Sequence, residues 1–269
     1  MIVISRALSL APGYAPNATF PVIGWQNVLT PSGITAGNTN PAFPASNLAR
    51  PSTAERWQAL TTDDQYLTFQ TGGAEADYVG IARHNLGSGA VIVSIEAETL
   101  EAPGEWVEVV EDFMPASDGP ILVRFMAGAF SRIRIRLQPD MVVPRIAVVF
   151  IGKLLVMERG EMPDVTPIPF AASNDVVRAR AQSGDYLGSI VLRQGLKTSI
   201  KFQYLSLDWY LANMQPFVDA SLTQPFFYAW SPAEFPDQVG YAWTTADVRP
   251  SIDIPRFVEV QLSLEAVKV

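Results

Sequence analysis

From Gln65 to Met157 the chain is a succession of short apolar or alternating runs: QYLTFQ, DYVGIARHN, AVIVSIEAE, EWVEVVED, ILVRFM, SRIRIRLQ and RIAVVFIGKLLVM. Glycine, proline, asparagine or aspartate stands in most of the gaps between them. Runs this short, with period-two alternation and turn residues at close spacing, predict an antiparallel β-sandwich. The 21 prolines and 18 glycines are spread along the whole chain, which suits many strands joined by turns. The last run, IAVVFIGKLLVM, comes closest to a membrane-length stretch, but Lys153 interrupts it and it reads as consecutive buried strands. At the N-terminus no basic residue precedes the apolar start and Arg6 cuts it short, so neither a signal peptide nor membrane insertion is expected, and synthesis in the cytoplasm is.

A length of 269 residues suits two domains. We read an N-terminal segment (1–19), a β-sandwich (20–156), a proline-bearing connecting arm (157–188) and a second β domain (189–269). The fold class is mainly β, with a jelly-roll or discoidin-like sandwich followed by a C-terminal β-sandwich that carries one flanking α-helix. The helix is expected near 206–221, where Leu207, Tyr210, Leu211, Met214, Phe217, Val218 and Leu222 fall on one helical face. Ser206 is placed to cap it and Asp208 to favour its first turn. Pro216 predicts a kink or a break. The strict alternation of RFVEVQLSLEAVKV marks a half-buried closing strand.

The net charge of −8 divides evenly: residues 1–155 carry 10 basic and 14 acidic side chains, residues 156–269 carry 9 and 13. Neither half has the basic balance of a nucleic-acid module. With no cysteine, disulfides, thiolate zinc sites and thiol nucleophiles are all absent, and no metal or cofactor is expected. Apolar residues make up 48% and charged ones only 17%, which predicts surface hidden against partners.

His84 is the only histidine. No G-x-S-x-G elbow accompanies it, so a catalytic triad is not expected. Two readings stay open: a ligand contact at a strand end together with Arg83 and Asn85, or a structural side chain. In SRIRIRLQ, Arg132, Arg134 and Arg136 share one strand face, either as an anion-binding ladder or in cross-strand pairs with acids such as Glu96 and Glu98; the acidic chain favours pairing. Phe226, Phe227, Tyr228, Trp230, Phe235, Tyr241 and Trp243 crowd into 18 residues. They suit a stacking platform or a buried interface; the second is favoured, with Phe227, Tyr228, Trp230, Phe235 and Trp243 as assembly contacts.

Two stretches resemble known families. The run from Pro21 to Ala59 together with QYLTFQTGGAEADYVGIARHNLGSGAVIVSIEAE resembles discoidin-like, galactose-binding-like modules, through Asn47, Leu48, Trp57, Tyr66 to Phe69 and Val79 to Asn85. That resemblance implies a carbohydrate-binding sandwich, with Trp57, Arg83, His84 and Asn85 as candidate ligand contacts. The stretch from SIKFQYLSLDWYLANMQPFVDASL to ADVRP resembles the C-terminal region of minor tail or tail-tip proteins of tailed bacteriophages and gene-transfer agents. It implies a structural, non-enzymatic component of a tail tip or baseplate that forms a homo-oligomeric ring, hexamer or trimer, beside other tail proteins. Its N-terminal sandwich would then contact host-surface glycan. The alternative is a soluble carbohydrate-binding accessory protein or a glycan-degrading enzyme.

Overall fold

The computed structural model describes residues 1–8, 19–162, 166–254 and 256–268. The first part of the chain contributes β1 (Ile2–Ile4), β2 (Val22–Gly24), β3 (Ile34–Ala36), β4 (Trp57–Gln58), β5 (Gln65–Gln70) and β6 (Glu75–His84). β7 (Ile92–Thr99), β8 (Val107–Phe113), β9 (Ile121–Gln138) and β10 (Arg145–Gly152) follow. The remainder contributes β11 (Leu155–Val156), β12 (Ala172–Arg180), β13 (Tyr186–Ser206), β14 (Phe226–Ala229), β15 (Val239–Thr244), β16 (Ser251–Ile254) and β17 (Phe257–Ala266). The protein is mainly β, with a β-sandwich followed by a second β domain and one flanking helix.

The long strand β9 serves both sheets of the first sandwich. Its N-terminal half pairs with β1 and β6, and β6 continues through β10 to β4. Its C-terminal half pairs with β5 and β7, which lead to β3 and β8. Between the two halves lies a core of Trp57, Leu67, Phe69, Val79, Ile81, Val93, Ile95, Val123, Ile133 and Ile135. Ile133, Ile135 and Leu137 point inward while the arginines between them face out, as the period of two requires.

The β6–β10 sheet is covered on both faces, which is why RIAVVFIG reads as a continuous apolar run rather than an alternating one. One face meets the sandwich core. The other, through Tyr78, Ala82, Leu122, Val148 and Phe150, packs on Val22, Phe227, Ala229, Val239 and Tyr241 of the second domain. Phe227 stands edge-on to Phe150 at 5.6 Å between ring centroids and 4.9 Å from Tyr241. Gly80 makes this approach possible, because a Cβ there would lie 2.5 Å from the Phe227 ring.

The second sheet runs β11-β2-β14-β15-β17-β13-β12, with β16 on β17. Its inner core joins Phe202, Phe226, Val260, Leu262 and Leu264 to Met214, Phe217 and Val218 of the helix. That helix, α1, is one run made of an α-helical start (Leu207–Trp209), a π turn (Tyr210–Met214) and an α-helical end (Gln215–Ser221). The kink or break expected at Pro216 takes the form of the π turn just before it, whose wider bonding carries the backbone past the donor that proline lacks. Ser206 occupies the cap position but makes no side-chain cap hydrogen bond. Its hydroxyl donates to Glu158 Oε1 at 2.8 Å, and its N–H to Glu158 Oε2 at 2.7 Å.

Three segments lie elsewhere than the sequence placed them. Val22–Gly24, expected in the first sandwich, pairs with β11 and β14 of the second sheet. The first sandwich is thus an excursion that leaves from β2 and returns at β11, neighbouring antiparallel strands. The N-terminal segment supplies β1, parallel to β9, while 9–18 lie outside the described residues. The expected connecting arm holds β12, paired with β13 from Ala172↔Leu196 to Arg180↔Tyr186; its residues 163–165 lie outside the described residues. No helix among the described residues is long and apolar enough to cross a membrane.

Candidate functional site

The His84 corner is built from backbone. His84 Nε2 lies 2.9 Å from the Gly119 carbonyl and Nδ1 accepts the Leu86 N–H at 3.1 Å, which fixes a neutral imidazole with its proton on Nε2. Burial pushes its pKa down to about 4, against the opposing pull of the Gly119 hydrogen bond and Asp118. Asn85 donates from Nδ2 to Val143 O at 3.0 Å and accepts the Arg145 N–H on Oδ1 at 2.8 Å, tying the end of β6 to the start of β10. In the following turn Gly87 has no room for a side chain, because a Cβ would lie 2.2 Å from the Ser117 backbone. Both side chains are buried, and their polar atoms are held by the domain's own loops.

Trp57 has no exposed surface, and its indole N–H donates to Thr39 Oγ1 at 3.0 Å. Trp57 and Asn85 present no free group, and both ring nitrogens of His84 are taken by backbone groups, although its ring lines a crevice beside Arg83. Only Arg83 is exposed. Its φ of 56° puts a non-glycine residue in the left-handed region, which costs about 1 kcal/mol or more and persists only where neighbours over-determine it.

The arginine strand is paired. Arg132 meets Glu98 and Arg134 meets Glu96, each directly opposite in the β7–β9 register, and Arg136 reaches Asp64 at 3.4 Å. Hydrogen bonds from Arg132 and Ser131 hold the Glu98 carboxyl below its usual range. Trp106 lies 4.1 Å from the Arg134 guanidinium and Tyr66 5.0 Å, so this face is a closed network of ion pairs and cation–π contacts.

The aromatic cluster splits. Phe227 and Tyr228 are buried on opposite faces of β14, Phe227 against the first sandwich and Tyr228 in the second core, so neither is free for another copy. Four-residue strands buried on both faces carry no alternation that would reveal this. Trp230 stacks on Phe235 at 4.9 Å, with its N–H donated to Gln238 Oε1. Phe235 and Trp243 remain partly exposed, and Trp243 lines a crevice at the base of the β12–β13 hairpin.

That hairpin projects with no strand beyond β12 among the described residues, and the sequence reading missed it as a site. β12 has no neighbour but β13, and β13 joins β17 only from Leu196 onward. Ala172–Arg180 at ~3.4 Å per residue gives a two-stranded ribbon roughly 30 Å long. Val176 sits opposite Val191 on one face and Val177 opposite Ile190 on the other. Val177, Tyr186, Leu187, Ile190 and Leu192 are 54–68% exposed.

No protein-family model matches the chain, and no curated protein matches it. Among solved structures, chitosan-binding module 1 of a chitosanase/glucanase from Paenibacillus sp. IK-5 is 15% identical, with a TM-score of 0.40 over 47% of this chain and 98% of that one. A GH29 fucosidase of Ruminococcus gnavus is 16% identical, with a TM-score of 0.41 over 49% of this chain and 27% of that one. The CBM32 of AlyQ, in complex with 4,5-unsaturated mannuronic acid, is 22% identical, with a TM-score of 0.38 over 48% of this chain and 96% of that one.

Proposed function

We propose that the protein is a structural, self-assembling component of a phage-type tail tip or baseplate, whose copies close into a ring through the second domain. In this reading each β12–β13 ribbon lies on the next copy, and the first sandwich is carried outward towards host-surface glycan. The carrying observation is the ribbon. An isolated two-stranded hairpin is at best marginally stable in water, and this one has open backbone edges and apolar side chains on both faces.

Charge supports a second copy as the occupant. Residues 172–195 hold Arg178, Arg180 and Arg193 against Asp175 and Asp185, a sum of +1, so the remaining chain carries −8 − 1 = −9. Arg193 is paired within the chain with Glu265, which leaves Arg178 and Arg180 as the ribbon cations facing an acidic body. The insertion geometry is compatible with a ring, because a sandwich that leaves and returns through adjacent strands does not interrupt the second sheet.

The lack of native cysteine makes the contact measurable with a single thiol. Alkylation of Ile190→Cys is expected to slow tenfold or more as protein concentration rises, whereas an exposed thiol away from the ribbon, in Met141→Cys, keeps its rate. An Ile190→Cys rate that is independent of concentration would remove the ribbon from the interface.

A further inference from the structure

The exposed Arg83 belongs to a second feature. β6, β10 and β4 are neighbours in one sheet, and one arginine stands at the same end of each: Arg83 next to last in β6, Arg145 first in β10, and Arg56 immediately before β4. The pairings Ile146↔His84 and Arg145↔Gln58 bring these ends level. With strands ~4.8 Å apart, the three backbone positions span roughly 10 Å. Their side chains line one crevice of about 390 Å³, the size of a small-ligand site.

No carboxylate pairs with any of the three among the described residues. Elsewhere Arg50, Arg132, Arg134, Arg136, Arg193 and Arg249 each have an acidic partner. The Arg56 guanidinium lies over the Phe43 ring at 4.3 Å, and its Nε is buried without a hydrogen-bond partner. Arg83 has only a 3.5 Å contact to the Lys268 carbonyl. Asp118 is the one carboxylate in the lining, and its Oδ1 already accepts the Ser88 N–H at 2.8 Å. Glu55 is held by Arg50.

Three unneutralised guanidiniums this close repel one another, and each retains donors that a planar or tetrahedral oxyanion satisfies. The strained backbone at Arg83 suits a site poised for a ligand rather than a packing solution. We propose that this crevice binds the oxyanion group of a small ligand, a carboxylate or sulfate seated among Arg56, Arg83 and Arg145. Binding there needs no second copy, since one chain supplies all three arginines.

Calorimetric titration of the full chain with glucuronate, inorganic sulfate and neutral glucose tests it. Saturable binding that weakens as salt rises is expected for a charged probe and not for glucose. The affinity is expected to fall tenfold or more in Arg145→Ala and in Arg83→Ala, both exposed positions, and to be unchanged in Arg178→Ala on the ribbon. Binding of glucuronate alone identifies a sugar acid as the ligand source; equal binding of sulfate identifies a free oxyanion. Absence of saturable binding by either, or binding that survives Arg145→Ala, overturns the site.

Discussion

Phe227→Ala is expected to lower the stability of the folded chain by about 3–5 kcal/mol, the range for deleting a fully buried phenylalanine ring. The upper part of that range applies because the ring stands between two hydrogen-bonded sheets. Phe150 and Tyr241 wall the space on either side and Gly80 offers no side chain to refill it. Strands locked into ladders on both sides cannot collapse into the void, so the lost contacts are not recovered. Urea unfolding should show the midpoint falling with little change in slope. A loss below about 1 kcal/mol would mean that the two domains do not share this core.

His84→Asn is expected to alter the pH dependence of stability. The folded-state pKa of His84 is lowered to about 4 by burial, against an unfolded value of about 6.5. Between these values the unfolded chain binds a proton that the folded one refuses. The contribution of the neutral imidazole is therefore complete above pH 6.5 and is lost as pH falls towards 4. At ~1.4 kcal/mol per pH unit, the stability advantage of wild type over His84→Asn should shrink by about 3 kcal/mol between pH 7 and pH 4.

Two carboxyls work in the opposite sense. Burial raises Asp77 to about 6 and Glu161 to about 7, so each favours the folded state more as pH falls. Both remain in the variant and cancel in the comparison. Asparagine can still accept the Leu86 N–H in place of Nδ1, which preserves the turn. Denaturant titrations at pH 7 and pH 4 measure the difference, and a gap that stays constant would contradict the neutral, buried imidazole.

The two predictions concern buried residues: Phe227, which the sequence placed at an assembly surface, and His84, for which the structural reading was one of two left open. Polarity and aromatic crowding were the available signals, and both are ambiguous. A histidine and an asparagine satisfied by backbone groups 35 and 58 positions away leave no local trace, as His84 with Gly119 and Asn85 with Val143 illustrate. Legible parts were those with a period: the inward side of β9, the Tyr210, Met214, Phe217 and Val218 part of the α1 face (Leu211 and Leu222, expected on it, are exposed), and the register that sets Arg132 and Arg134 opposite Glu98 and Glu96. Strands of two or three residues, such as β2 and β11, have too little chain to show any period, so their place in the second sheet was hidden. The ribbon was hidden for a different reason. A hairpin without a buried face has no alternation, and its mixed composition passed for a connecting arm.

The crevice of Arg56, Arg83 and Arg145 was only partly visible for the same cause. Arg83 stood out beside the lone histidine, but its companions lie on strands brought alongside only by the sheet order. Convergence of that kind is a property of topology, not of spacing along the chain.

Self-association through the ribbon is tested most directly by the molar mass of the full chain, from light scattering across a rising concentration series. The proposed assembly predicts a discrete oligomer, a trimer or hexamer under the tail-tip resemblance, that returns to monomer when Ile190 and Leu192 are both replaced by aspartate. A strict monomer at the highest concentration reached, with the ribbon intact, would contradict assembly.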